Sequence, residues 1–190
     1  MVPAIAALLG ILLFGACTAR ADLDLTPSEA TGTLEKVKYR SIVFHDDGKV
    51  ITYTAPRGWT CTGSHNSAAF SIPDHPQARA YIQSAPRLRV PPFDDKTAKL
   101  IQDNPALLQL PKGAKQIKIN SVDINPFIID SHPIVEIQAT YAFFGQQCAR
   151  SIIIADRKGA EVSFVLDCLG PDFKVLYPKF RASLFTIENL

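Results

Sequence analysis

The sequence lacks the short patterns that give away a catalytic class. No serine stands in G-x-S-x-G, no glycine-rich loop leads into a Lys-Ser or Lys-Thr pair, and no H-E-x-x-H occurs. No two cysteines have C-x-x-C spacing, so a structural zinc site is not expected. The four histidines, at 45, 65, 75 and 132, never fall at H-x-H or H-x-x-x-H spacing. His45-Asp46-Asp47 offers imidazole and carboxylate donors of the kind divalent cations accept. In HDDGK, however, Asp and Gly are first of all turn formers. No metal and no cofactor is therefore expected.

Long apolar runs are also missing. The longest uncharged one, AIAALLGILLF at residues 4–14, has eleven residues. A membrane span takes about 20, whereas a signal-peptide core takes about 7–15. Two cuts follow it. Ala19-Arg20-Ala21 is an A-x-A site, and cleavage there removes residues 1–21 and frees a periplasmic or secreted protein. Phe14-Gly15-Ala16-Cys17 resembles a lipobox, and cleavage there leaves a protein anchored to a bacterial membrane through lipidated Cys17. The first cut is favoured, and either one exports the chain.

Charge of one sign is scarce as well. Without residues 1–21 the chain loses only Arg20 and keeps 19 basic against 18 acidic residues. A balance this close to neutral gives no overall footprint for nucleic acid or for an anionic membrane. Membrane contact is expected only through an anchor on Cys17.

What remains is a pattern of strands and turns. DLDLTPSEATGT is polar and unpatterned, so residues 22–36 are read as a linker and 37–190 as one domain. VKYRSIVF and VITYT flank Asp-Asp-Gly and form a hairpin. SAAFSI and ARAYIQS are further strand candidates. Apolar residues at 98, 100, 101, 107, 108 and 110 mark a helical segment that Asp94 or Asp95 can cap and Pro105 divides. KQIKINSVDI, PIVEIQATYAFF, CARSIIIAD and AEVSFVLDC are four more strands. Positions 173, 176, 177, 180 and 184 then recur at helical spacing, with Pro178 expected to kink the helix or restart it. The fold class is α+β: an antiparallel sheet flanked by a central helical segment and a C-terminal helix, in the manner of an α/β/α sandwich.

Beyond Cys17 there are three cysteines, Cys61, Cys148 and Cys168. A three-residue loop of Arg157, Lys158 and Gly159 puts Cys148 opposite Cys168. Facing residues on antiparallel strands lie about 4.5–5.5 Å apart, inside the 4.4–6.8 Å range a disulfide requires. A Cys148–Cys168 bridge would add about 3 kcal/mol in the chain-entropy model. A one-residue slip would send the sulfurs to opposite faces. The alternatives are two buried reduced thiols, or a bridge from Cys61 to one of them.

The candidate ligand-binding residues are Trp59, Cys61 and His65, close together in a turn-rich segment. Cys61 and His65 supply a thiol and a base, but no partner is evident to orient the histidine. Trp59, after Pro56-Arg57-Gly58, either caps the sheet or lines a cleft.

TYTAPRGW resembles the strand, Pro, Gly and Trp element of the PsbP-like and DcrB-like superfamily. The closing strands and the aromatic helix DFKVLYPKFRASLFTI are similar to that group's C-terminal half. The resemblance runs from about residue 37 to 187. It implies an antiparallel sheet between helices, and proteins that act by binding or assembly without a shared active site. The resulting expectation is an exported, non-catalytic cell-envelope protein that binds or stabilises an envelope partner. The alternatives are a periplasmic small-molecule or ion-binding protein with a cleft near Trp59, and a thiol-dependent enzyme using Cys61.

Overall fold

The structure, a computed structural model, describes residues 23–34, 37–86, 93–157 and 160–190. The leader, both its cleavage sites and Cys17 lie outside the described residues.

Two antiparallel sheets carry the chain. The small one joins β1 (Asp24–Leu34), β2 (Val37–Asp46) and β3 (Lys49–Tyr53) in that order. The large one contains β4 (Thr60–Ser64), β5 (Ser67–Ser71), β6 (Arg79–Pro86), β7 (Lys115–Ile124), β8 (Ile134–Phe143), β9 (Gln146–Arg157) and β10 (Ala160–Leu169). Its order is β4-β5-β6-β10-β9-β8-β7. Helix α1 (Asp95–Asp103), a 3₁₀ turn at Pro105–Leu108 and helix α2 (Gly170–Leu184) complete the described elements. The fold is α+β.

The central strands are buried on both faces, which is why they read as near-continuous apolar runs. Val162, Phe164, Leu166 and Cys168 of β10, with Ile153 and Ala155 of β9, pack under the small sheet and α2. Phe44, Ile51 and Tyr53 come from the small sheet, and Leu176, Phe180 and Leu184 from α2. The Tyr53 hydroxyl meets Ser183 Oγ at 2.7 Å and ties the two covering elements together. On the other face Val165, Ile152, Val135, Ile137 and Ala139 meet Ile101 and Leu108 of the α1 segment.

Local chemistry sets the turns and ends. Asp47 and Gly48, both at positive φ (41° and 79°), close the β2–β3 hairpin as a two-residue loop. Asp94 caps α1 by accepting the Thr97 amide at 3.0 Å, and the helix stops just before Pro105. Pro178 lies inside α2, yet the helix runs on to Leu184. A mid-helix proline costs about 3 kcal/mol. Burial of Leu176, Phe180 and Leu184 at about 1.5–3 kcal/mol each offsets that.

Two expectations give way. Residues 24–34 were expected within a linker, but they form β1, paired with β2 from Ser28↔Val43 to Leu34↔Val37. The strand is an edge whose polar side chains face solvent, and only its entry, Leu23 and Leu25, reaches the core. Pro27 sits where the register shifts, a place a strand tolerates proline.

The Cys148–Cys168 disulfide is also overturned. Arg157 pairs with Ala160, so the β9–β10 loop has two residues and not three. Cys148 therefore faces Leu169, and Cys168 faces Ala149. Successive side chains alternate across a sheet, so the two sulfurs lie on opposite faces. Cys61, Cys148 and Cys168 are all free thiols.

Candidate binding cleft

The face of the large sheet under α1 is not fully filled. Helix α1 and the 3₁₀ turn lean over β7 and β8 and leave a cleft of about 300 Å³ above β9, β10 and β6. That volume lies at the lower end of ordinary small-ligand sites. The alternation of the strands supplies the floor: Val135 and Ile137 from β8, Ile152 and Ile154 from β9, Val165 from β10. Phe93, Ile101 and Leu108 form the roof. Leu100 and Leu107, 49% and 45% exposed, stand at the rim.

The polar lining is unevenly placed. Gln83 faces Ser163, and Glu161 is the next inward residue along β10 on the same side. These three gather at the β6–β10 edge, Val135, Ile137, Ile152 and Ile154 make the β8–β9 side aliphatic, and Arg150 and Gln109 line the cleft as well. The cleft therefore joins an aliphatic floor and roof to polar groups at its margins.

Arg150 fixes the roof to the floor. Its Nε and Nη2 donate to Asp167 Oδ2 at 3.0 and 2.7 Å, and Nη1 donates to the carbonyls of Leu108 and Gln109, both at 2.7 Å. Tyr141 donates its hydroxyl to Asp167 Oδ1 at 2.6 Å. Arg150 and Asp167 are both buried, and the pair contributes no net charge to the cleft. Burial, and then the Asp167 carboxylate, push the Tyr141 phenol far above its usual range. The cluster is thus a charge-balanced strut, and its Tyr141 phenol offers no proton near neutral pH.

A second polar cluster lies on the opposite face, under α2. Glu136 is 3% exposed and accepts the Tyr177 hydroxyl, with Arg181 Nε at 3.6 Å. Gln138 Nε2 donates to Tyr177 at 3.0 Å, and the Arg181 guanidinium stacks 4.3 Å over Phe127. Burial and the Glu136 carboxylate raise the Tyr177 phenol. These contacts staple α2 to β8.

The structure separates the sequence-read candidates from this cleft. Trp59 precedes β4 and turns towards α2, stacked on Phe180 at 6.3 Å and tilted against Phe70 at 6.3 Å. Cys61, opposite Phe70, packs against the same core, and burial pushes its thiol up to about 11. Cys168 is pushed up to about 12 by burial and the nearby Asp167 and Asp172 charges, and burial raises Cys148 as well. His65 is exposed in the β4–β5 turn, 3.8 Å from Asp24. Trp59 and Cys61 thus share a core-facing side, and His65 stands apart from them in solvent. Asp46, offered above as a cation donor, is paired with Arg157. Among the described residues no group of three or more His, Cys, Asp or Glu side chains converges as a metal site would.

Sequence reasoning found the apolar face of α1 but not the cleft, which brings together β6 and β10 residues such as Gln83 and Ser163, 80 positions apart in the chain. The one available signal was Leu100 and Leu107, apolar positions in the helical pattern beyond what a single face against the sheet needs.

No family model matches the chain, and no curated protein matches it in sequence. Solved structures do. LpqN, involved in cell envelope biogenesis of Mycobacterium tuberculosis, aligns with a TM-score of 0.49 at 12% identity, over 85% of this chain and 90% of its own. PA94 of Pseudomonas aeruginosa, a protein of unknown function, aligns at 0.47 and 14%, over 83% and 94%. The cyanobacterial PsbP, CyanoP, from Synechocystis sp. PCC 6803 aligns at 0.50 and 10%, over 85% of this chain and 92% of its own. At such identities the likeness speaks for the fold alone, and by its likeness to CyanoP the chain has a PsbP-like fold.

Proposed function

We propose that this is an exported, non-catalytic protein of the cell envelope that works by binding, and that its ligand is a small amphiphile held in the cleft under α1. The observation that carries this reading is the cleft itself: about 300 Å³ with a largely aliphatic floor and roof, and with Gln83 and Ser163 side by side at its β6–β10 edge. At about 30 Å³ per water-sized group, the space suits on the order of ten methylenes. The polar group of the ligand would then meet Gln83 and Ser163. Export rests on the leader read at residues 1–21. A binding role in place of thiol catalysis is supported by Cys61, whose raised thiol is almost wholly protonated near neutral pH and so is a poor nucleophile. The surroundings of Trp59 favour packing over a ligand site, because its ring is already stacked between aromatic neighbours.

The test is a fluorescent apolar dye, 1-anilinonaphthalene-8-sulfonate, titrated into the folded protein and displaced by amphiphiles of graded chain length. Val165→Trp, which fills the cleft from the floor, should abolish saturable dye binding while thermal unfolding stays cooperative. Equal dye binding by the variant and the wild type would refute the assignment.

A further inference from the structure

We propose that the tip of the β8–β9 hairpin is a membrane-docking element that inserts Phe144 into the headgroup region of an anionic phospholipid bilayer. The hairpin closes on Phe144 and Gly145, at φ of 47° and 77°. This left-handed first position suits Asn, Asp or Gly, and an ordinary L side chain there costs about 1–2 kcal/mol. The chain places a phenylalanine there and leaves it 90% exposed, the most exposed of the large apolar residues described. Its ring touches Phe143, with centroids 4.5 Å apart, so two aromatic rings meet at the tip. Neither the fold nor the cleft uses this pair.

The surroundings select the partner. Beside the tip runs the start of β7, where Lys115 pairs with Ala142 and Lys118 with Thr140. Lys112 precedes them in the Pro111–Ala114 turn, and all three lysines are exposed, as is Ile117 at 41%. No Asp or Glu occurs in 111–122 or in 137–149. On the neighbouring start of α2, Asp172 is engaged 3.2 Å from His75. The chain as a whole is nearly neutral, so this local excess of positive charge is invisible in the total.

A protruding tip of two rings is too small and too convex for the roughly 800 Å² per partner that a stable protein interface buries. An aromatic wedge flanked by lysines matches the boundary of a bilayer, where rings sit among headgroups and each basic residue near an anionic surface adds about fivefold in affinity. The site is distinct from the amphiphile cleft and does not depend on what fills it.

The experiment is co-flotation of the full processed chain with vesicles of phosphatidylglycerol and phosphatidylethanolamine, against vesicles of phosphatidylcholine alone. Binding to the anionic vesicles is expected, weakened by salt. Lys115→Gln and Lys118→Gln should each weaken it about fivefold. Phe144→Asn should weaken it about tenfold or more while leaving the fold at least as stable, since Asn suits the left-handed position. A second reading is local: in Phe144→Trp, the new tryptophan's emission should shift to the blue on adding anionic vesicles. Binding by Phe144→Asn equal to wild type, equal binding to both vesicle types, or no blue shift would each overturn the proposal. Capture of a soluble protein through Phe144 without vesicle binding would assign the tip to a protein partner and overturn it too.

Discussion

Replacing Arg150 with methionine should destabilise the protein by about 3–5 kcal/mol, the usual range when one partner of a buried ion pair is removed. The structure says where the loss arises. Asp167 would keep the Tyr141 hydroxyl but lose both guanidinium bonds, and the Leu108 and Gln109 carbonyls would lose their donor. For a domain of this size the midpoint of thermal unfolding should fall by roughly 6–20 °C. The 3₁₀ turn would also be released from the sheet, so dye affinity in the cleft should drop even at temperatures where the variant stays folded. Urea unfolding of Arg150→Met, Asp167→Leu and the double variant isolates the pairwise contribution. The double variant should be more stable than Arg150→Met, because it no longer buries a lone carboxylate. If the double variant loses as much as the two single losses combined, or Arg150→Met loses under about 1 kcal/mol, the strut does not act as described.

Further outcomes follow from other sites. Gly63→Ala should destabilise by about 1–3 kcal/mol in urea titration, because a Cβ there would meet the Leu25 carbonyl at 2.7 Å and the Ser67 carbonyl at 2.8 Å. A reducing agent should leave the thermal midpoint unchanged, and alkylation after unfolding without reductant should label Cys61, Cys148 and Cys168 alike. A Cys148–Cys168 disulfide found by peptide mapping would contradict the β9–β10 register. Stability should decline as the pH rises above about 9. The thiols ionise near 9.0 in the unfolded chain, whereas the Cys61 and Cys168 thiols are held up to about 11 and about 12 in the fold. The contribution from keeping them protonated is complete below the unfolded value and fades as pH climbs towards the folded ones. Cys61→Ala and Cys168→Ala should each flatten that decline in alkaline denaturation curves.

Much of the second half of the fold was legible in the sequence. β7 runs over Lys115–Ile124 as read, and β8, β9, β10 and α2 differ from the reading only at their ends. These segments carry strong periodicity because each buries a face. β1 was missed because only its entry, Leu23 and Leu25, reaches the core, and from Ser28 to Thr33 no apolar alternation marks it as a strand. β4 was missed because TCTGS is short and includes Gly63, needed where the Leu25 backbone passes close. The register of β9 on β10 turned on whether Arg157 belongs to the strand or the loop, and composition does not decide that. The cleft was hidden for a topological reason. β6 pairs with β10 from Ala160↔Pro86 to Asp167↔Arg79, and no local pattern announces a contact across that separation. Trp59 and Cys61 were noticed because rare residues stand out, but here they share aromatic packing.

The opposite-facing cysteines of the last hairpin have a consequence for folding in an oxidising compartment, where the proposed export would take the chain. In an oxidising compartment, thiols that meet are trapped together. Between β9 and β10, a slip by one residue would bring Cys148 and Cys168 face to face and turn the rest of one strand inside out. Oxidation at that moment would make the misfolded hairpin covalent, and local fluctuation could no longer correct it. The native two-residue loop keeps the sulfurs on separate sides of the sheet, so the correct hairpin is the one oxidation cannot seal. Folding speed at this hairpin is then a form of quality control: chains that close it before encountering an oxidant escape, and late ones are locked out.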